Sequence, residues 1–411
     1  MIRTVFALGA HPVRAAFLME ENMSDPLTAT PAAPAHSLGD EFALDPGLVY
    51  LNHAAVAPWP RRTARAVQRF ADESLHYGAS HFPRWMEKEV QLRGQCRDLV
   101  NAPSADDIAL LKNTSEALSV VAHGLDWQAG DNVVISDEEF PSNRIVWESL
   151  RARGVETRRA RLAAAPSPED ALAACIDART RLLSVSSVEY ASGLRLDLDR
   201  LGEICRARGV LFCVDAIQSL GVLPFDVAAC GADFVMADGH KWLLAPEGLA
   251  LFYVRPEIRD RLRLNQYGWH MVEEAFDFSR DDWQIAASAR RFECGSPNML
   301  GIHALSASLE VLAEAGTANV AAQVLAHSAY LMDALAALPG IEILTPRAPG
   351  RYAGIVSFRH VRVAPVELHA RLIAQRILCA QRGGGVRFSP HFYLTREQLD
   401  TAVAAVAAAT R

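Results

Sequence analysis

Three polar clusters in this 411-residue chain carry residue types that do chemistry. Asp215-Ala216-Ile217-Gln218-Ser219 closes the apolar run VLFCVD, and Asp238-Gly239-His240-Lys241-Trp242 closes FVMA. Asn113-Thr114-Ser115-Glu116 opens a helical stretch. Each has an ordinary reading when taken alone. Strand-end aspartates cap helices, Thr/Ser/Glu is a common helix start, and most lysines solvate a surface. Together they fit one task. Lys241, set between a buried strand and the apolar Trp242-Leu243-Leu244, loses solvation, which favours a neutral, nucleophilic amine. A carboxylate at a neighbouring strand end can keep a pyridine nitrogen protonated, making that ring an electron sink. A helix N-terminus lined with hydroxyls binds phosphate. Amine, buried acid and phosphate cradle are what pyridoxal 5'-phosphate needs.

The elements that must position these groups follow from the apolar pattern. Short β-rich runs at Asn132–Ser136, Leu182–Val188, Val210–Asp215, Phe234–Ala237 and Gly248–Val254 alternate with helical stretches, among them Asp197–Arg208. Continuous apolar strands separated by helices predict an α/β fold with a mostly parallel sheet covered on both faces. Ligands bind such sheets at the carboxyl ends of the strands, where the clusters sit. From Arg62 to Asn101 the pattern is helical, and a long Ala/Leu-rich helical stretch follows Met299 to about Leu338. An alternating strand at Gly354–Arg359, a helix, a turn at Gly383–Gly385 and a last helix complete a smaller α+β unit. The expected division is a loose extension over 1–45, a large cofactor-binding domain over 46–300 whose first residues can pack on the small domain, and a small domain over 301–411. Within the extension, Thr28 to His36 (TATPAAPAH) reads as linker and Met23 as a candidate start.

The stretch VDAIQSLGVLPFDV at 214–227, followed by DGHKWLLAPEGLALFYV at 238–254, resembles the class V aminotransferase family of fold-type-I pyridoxal-phosphate enzymes. That family includes cysteine desulfurases, selenocysteine lyases and isopenicillin N epimerase-like proteins. Asp215 and Lys241 stand 26 positions apart, in agreement with it, and the likeness extends through YLNHAAVAPWP at 50–60, RFECGSPN at 291–298 and VRFSPHFYLT at 386–395. The resemblance implies that Lys241 carries the cofactor as a Schiff base and moves the substrate α-proton. It pairs Asp215 with the ring nitrogen and Gln218 with the ring hydroxyl. It gives Thr114, Ser115 and His240 to the phosphate, Phe140 to the ring face, and Arg387 to the α-carboxylate of an amino acid substrate. Ser296 would reach a neighbouring subunit's phosphate, implying a homodimer with shared sites. His53 and Arg382 align with substrate-pocket positions, as do Asn143, Ser187 and His81, all of which could equally be structural. Asp238 stands where many relatives place a phosphate-binding serine; a carboxylate there would repel phosphate, so it is expected to point elsewhere.

The resemblance stops short at the sulfur nucleophile. Where desulfurases carry a mobile-loop cysteine upstream of the arginine, this chain has Leu372. Cys379 lies in the apolar ILCA, with only the short QRGGG before VRFS, and reads as a buried, inert strand residue. The other six cysteines are expected in helices and strands of the large domain. The expected chemistry is therefore lyase, epimerase or transaminase action at an amino acid α-carbon, the choice resting on groups such as His53, His81 and His270. The alternative is a cysteine desulfurase or selenocysteine lyase. A catalytically silent binding module has no need of Lys241, Asp215, Thr114 and Arg387 together, and a nicotinamide enzyme would show GxGxxG after an early strand.

Composition narrows the partners. A net charge of −7 offers no positive field for nucleic acid or an anionic membrane. Seven scattered cysteines without a CxxC pair read as reduced thiols of the cytoplasm. No apolar run nears the roughly 18 residues of a spanning helix. The apolar stretch Thr4 to Met19 is broken by His11, Pro12 and Arg14 and lacks a small-residue cleavage site, which argues against a signal peptide. No metal site is expected.

Overall fold

The computed structural model describes residues 38–411. The TATPAAPAH linker and Met23 lie outside them. Within the stretch expected to be loose, Leu38–Glu41 forms a 3₁₀ turn, Glu41 pairs with Arg62 at 2.9 Å, and the Phe42 ring stacks on Tyr393.

The described chain begins with β1 (Val49–Tyr50), α1 (Arg61–Tyr77) and α2 (Phe82–Val100). The helical pattern over 62–101 is thus two helices. Gly78, at φ +56°, breaks it in a backbone conformation that favours glycine. Strands and helices then alternate: β2 (Ile108–Leu111), α3 (Thr114–Gly124), β3 (Asn132–Ser136), α4 (Pro141–Glu148), β4 (Glu156–Ala160), α5 (Pro168–Ala174), β5 (Thr180–Ser186), α6 (Leu198–Arg208), β6 (Leu211–Asp215), β7 (Phe234–Asp238), β8 (Ala250–Val254) and the short α7 (Pro256–Arg259). They form a seven-stranded sheet in the order β2-β8-β7-β6-β5-β3-β4. Strands β4, β3, β5, β6 and β7 run parallel, and β8 runs antiparallel to both β7 and β2. Alternate side chains feed two cores. Val134, Leu183, Val185, Val214 and Val235 enter one, whereas Val133, Ile135, Leu182, Phe234 and Met236 enter the other. The predicted covering on both faces is present.

After α8 (Met299–Ala315) and α9 (Thr317–Ala336), split by Gly316, come β9 (Ile341–Ile343), β10 (Val356–His360), α10 (Pro365–Ala374), β11 (Ile377–Leu378), β12 (Ala380–Arg382), β13 (Gly385–Phe388) and α11 (Arg396–Ala409). The antiparallel sheet β12-β13-β10-β9 has its own core, which includes Phe358, Phe388, Leu331 and Leu399. Strand β1 pairs with β11, and Val49 and Leu51 join that core. Helix α8 instead buries Ile302, Leu305 and Leu309 in the core with Trp242 and Leu243.

Candidate active site

The carboxyl ends of β3, β5, β6 and β7 lie along one edge of the large sheet, and β2, parallel to β7, delivers the N-terminus of α3 to the same edge. Lys241 follows β7 in a turn that the protein holds tightly. Leu244 sits at φ +61°, a left-handed position that costs a non-glycine residue roughly 1–2 kcal/mol. Leu244 N–H donates to the Lys241 carbonyl at 3.1 Å, and Ser308 of α8 donates to the Leu244 carbonyl at 2.8 Å. Gly221 is also required: a Cβ there would stand 2.3 Å from the Trp242 carbonyl oxygen. Trp242 and Leu243 are fully buried, so the lysine starts from a fixed base.

The Lys241 amine is held down to about 8, first by the burial around it, against the opposing pull of Asp215. Asp215 at the end of β6 is 3% exposed, and burial pushes its carboxyl up to about 6. One of its oxygens accepts from Ile217 N–H at 3.0 Å. Gln218 is committed in part, donating to the Ala54 carbonyl at 3.1 Å and accepting from Trp242 Nε1 at 2.8 Å, which leaves one amide hydrogen. Asp238 faces His240. Its Oδ1 lies 3.0 Å from His240 Nδ1, and neither atom has an aligned hydrogen-bond partner.

Thr114 begins α3, whose N-cap Asn113 accepts from Glu116 N–H. The Thr114 hydroxyl is buried without a partner, while the exposed Ser115 donates to Ser142 of α4 at 2.9 Å. Phe140 caps α4 with its ring half out of the protein. Lys241 Nζ stands 5.7 Å from the ring centroid, and the Tyr190 ring meets it edge-on at 5.2 Å. Arg387 of β13 is 1% exposed; its Nη1 donates to the Tyr190 carbonyl at 2.6 Å and its Nε has no partner. Burial pulls its pKa down to about 9, with Arg382 a second cause, yet it remains cationic at neutral pH. Buried polar groups are nearly always hydrogen-bonded. Here Thr114 Oγ1, Asp238 Oδ1, His240 Nδ1 and Arg387 Nε all lack a hydrogen-bond partner, and the charges of Asp238 and Arg387 both act on the Lys241 amine.

Other expected residues are elsewhere or already engaged. His53, expected at the substrate, is fully buried, with Nδ1 bonded to the Ser389 carbonyl and Nε2 to the Tyr393 hydroxyl. Asn143 is likewise consumed by Glu139, Trp147 and Ser184, and Ser187 by Ser219. His81 caps α2 and faces Glu73, and His270 is buried near Glu293. Ser296 lies exposed on the loop before α8, and Arg382 lies exposed on β12. Cys379 is 3% exposed with its thiol pushed up to about 12 by burial. Of the other cysteines, Cys175, Cys230 and Cys294 are at helix ends, turns or loops rather than inside elements, because short connections pack them there.

Two neighbours escaped notice in the sequence. Tyr190 anchors Arg387, and Glu139, fully enclosed, binds Ser186 and Asn143 directly before Phe140. Burial pushes the Glu139 carboxyl up to about 8. In the sequence it is one of three consecutive acids, Asp137-Glu138-Glu139, and nothing there distinguishes the buried one.

Residues 49–401 match the family described as Aminotransferase class-V. The chain belongs to that family. Among its relatives, a protein of Methanothermobacter thermautotrophicus named "Probable cysteine desulfurase" is 31% identical, covering 85% of this chain and 92% of its own. Isopenicillin N epimerase of Streptomyces clavuligerus is also 31% identical, covering 89% of this chain and 96% of its own. A solved C-DES variant with glycine covalently linked to its PLP cofactor superposes with a TM-score of 0.83 at 23% identity, covering 88% of this chain and 96% of that one. These family members place the chain among pyridoxal-phosphate-dependent enzymes with a fold-type-I architecture, as the motifs implied. No helix among the described residues is long and apolar enough to cross a membrane.

Proposed function

We propose that Lys241 carries pyridoxal 5'-phosphate and that the enzyme breaks a bond at the α-carbon of an amino acid without a cysteine nucleophile. The observation that supports this most is the buried Lys241 amine, 5.7 Å from the Phe140 ring and acted on by the buried Asp215 carboxylate, at the sheet end where the Thr114 hydroxyl is buried without a partner. The residues fit the group. Thr114, Ser115 and His240 would hold its phosphate with the N-terminus of α3, Phe140 its ring face, Gln218 its ring hydroxyl through the free amide hydrogen, and Asp215 its ring nitrogen. The cofactor supplies an electron sink for charge developing at the α-carbon.

This chain's side chains do the rest. Arg387, fixed through Tyr190, grips the α-carboxylate with its planar fork and so sets which α-carbon bond stands across the ring. Lys241, once free, takes or returns the proton at the α-carbon. A cation placed against Asp215 offsets its burial and restores the ionised form. Cys379, buried and high in pKa, is unsuited to attack sulfur. We also propose a cytoplasmic homodimer of the large (46–300) and small (301–411) units, with Ser296 reaching the partner's site. The exposed aromatics Tyr267, Phe278 and Trp283 on the nearby loop support a covered surface there. A stable, fully loaded and active monomer in sedimentation would contradict this. The proposed activity is tested by the absorbance spectrum of the purified protein. A visible cofactor band should shift on adding particular amino acids, and products identify the reaction; no band at any cofactor concentration overturns the reading.

A further inference from the structure

Arg387 is not the only unpaired cation at the site. Strands β12 and β13 form a hairpin in the register Ala380↔Arg387 and Arg382↔Gly385. Residues opposite one another share a face, so Arg382 and Arg387 project from the same face of the hairpin as diagonal neighbours, about 7–8 Å apart at the backbone. The hairpin tip is pressed onto the loop that carries Tyr190: a Cβ on Gly383, at φ +55°, would meet Ala191 Cβ at 2.9 Å. The charge of Arg382 is felt at both Lys241 and Arg387. Arg382 itself makes only a hydrogen bond to the Gln381 carbonyl, and Arg387 only one to the Tyr190 carbonyl. Among the described residues, neither is paired with a carboxylate. The site's two acids, Asp215 and Asp238, lie on the strand ends of the large sheet, on the Lys241 side.

Two like-charged guanidinium groups side by side, both without acids, are unfavourable unless a ligand neutralises them. One α-carboxylate satisfies one fork. We propose that the substrate carries a second anionic group, a dicarboxylic amino acid being the simplest case, held by Arg382 while Arg387 holds the first carboxylate. This rests on the proposed function and names the substrate class for it. Arg382 is then a specificity residue at the mouth of the site, exposed because it must meet the part of the substrate that stays outermost.

The test compares acids with their isosteric amides. The protein loaded with pyridoxal phosphate is titrated with L-aspartate, L-glutamate, L-asparagine and L-glutamine, following the visible band. One acid should bind at least about tenfold tighter than its amide, the effect of a charge pair in a partly enclosed site. Arg382→Met, on an exposed hairpin where folding is not at stake, should bring the acid-to-amide ratio down toward unity, and Arg382→Lys should restore part of it. Amides that bind as well as acids, or a preference that survives Arg382→Met, overturn the proposal and leave Arg382 to a partner subunit or to solvent. Calorimetry with glutarate and butyrate, which need no cofactor chemistry, separates this from failure of the parent reading. Preferential glutarate binding lost in Arg382→Met supports the two-arginine site even if Lys241 takes up no cofactor, and equal binding of the two overturns it.

Discussion

Two arginines largely shielded from solvent have opposite surroundings. Arg93 of α2 donates to Glu293 at 2.6 Å, to Glu89 at 2.6 Å and to the Ile108 carbonyl at 2.7 Å. Glu89, Glu293 and His270 bring ligand atoms within 4.8 Å of one another, an arrangement a metal could use, but the guanidinium already spans both carboxylates. Their charges raise the Arg93 pKa in spite of burial. Arg387, more deeply enclosed, has one carbonyl, an orphaned Nε and a pKa pulled down. A buried charge with its partners inside the chain ties elements together; one without them awaits a partner from outside. The same contrast separates His53, closed by two internal bonds, from His240, whose Nδ1 has no aligned donor or acceptor.

Substitution should separate the two kinds of site. The largest effect is expected at the amine itself. Lys241→Ala should lower turnover by about 10³-fold or more, the scale of losing a positioned acid–base group, with the melting temperature nearly unchanged. Arg93→Met should do the reverse. It strands two buried carboxylates, which costs about 3–5 kcal/mol of stability, readable in chemical denaturation. Arg387→Ala should leave stability equal or higher, because it removes an unpaired buried charge. It should also keep cofactor uptake while weakening amino acid binding by about 2–5 kcal/mol. A marked loss of stability in Arg387→Ala would make it a structural arginine like Arg93.

Acidity gives a finer test. With its pKa lowered to about 8, Lys241 is increasingly neutral as pH rises through that value. Cofactor capture by the apoprotein should therefore speed up through pH 8 and level off above it. The folded apoprotein binds fewer protons at this group than the unfolded chain between about 8 and 10.5, so this contribution to stability increases with pH across that window. The smallest effect is expected for Cys379→Ala, which should leave turnover within a few-fold. A loss on the scale of Lys241→Ala would restore a desulfurase mechanism.

The central sheet and the residues of the candidate site were legible in the sequence, the Arg93 pairing was not, and the omissions have physical causes. The central strands announced themselves because strands buried on both faces are continuous apolar runs. Strand β4, ETRRA, lies at the sheet edge with Arg159 exposed and Arg158 half-buried, so it gave no such run. The two long helical stretches hid breaks at Gly78 and Gly316, since one glycine barely alters a periodic pattern. Lys241, Asp215, Thr114 and Phe140 stand out in the sequence through motif and context, and the structure brings Asp215 and Phe140 near the Lys241 amine. His53 and Asn143 carry the residue types of a site but spend their hydrogen bonds internally, which only three-dimensional neighbours reveal. Tyr190 was missed because its contribution to Arg387 is a backbone carbonyl, invisible to residue type.

The proposed function requires that Lys241 bind the cofactor covalently. Borohydride reduction of the loaded protein, followed by peptide mass mapping, tests it most directly. The pyridoxyl adduct should be found on the peptide containing Lys241 and be lost in Lys241→Ala. An adduct on another lysine, or cofactor uptake unchanged by the substitution, would contradict it.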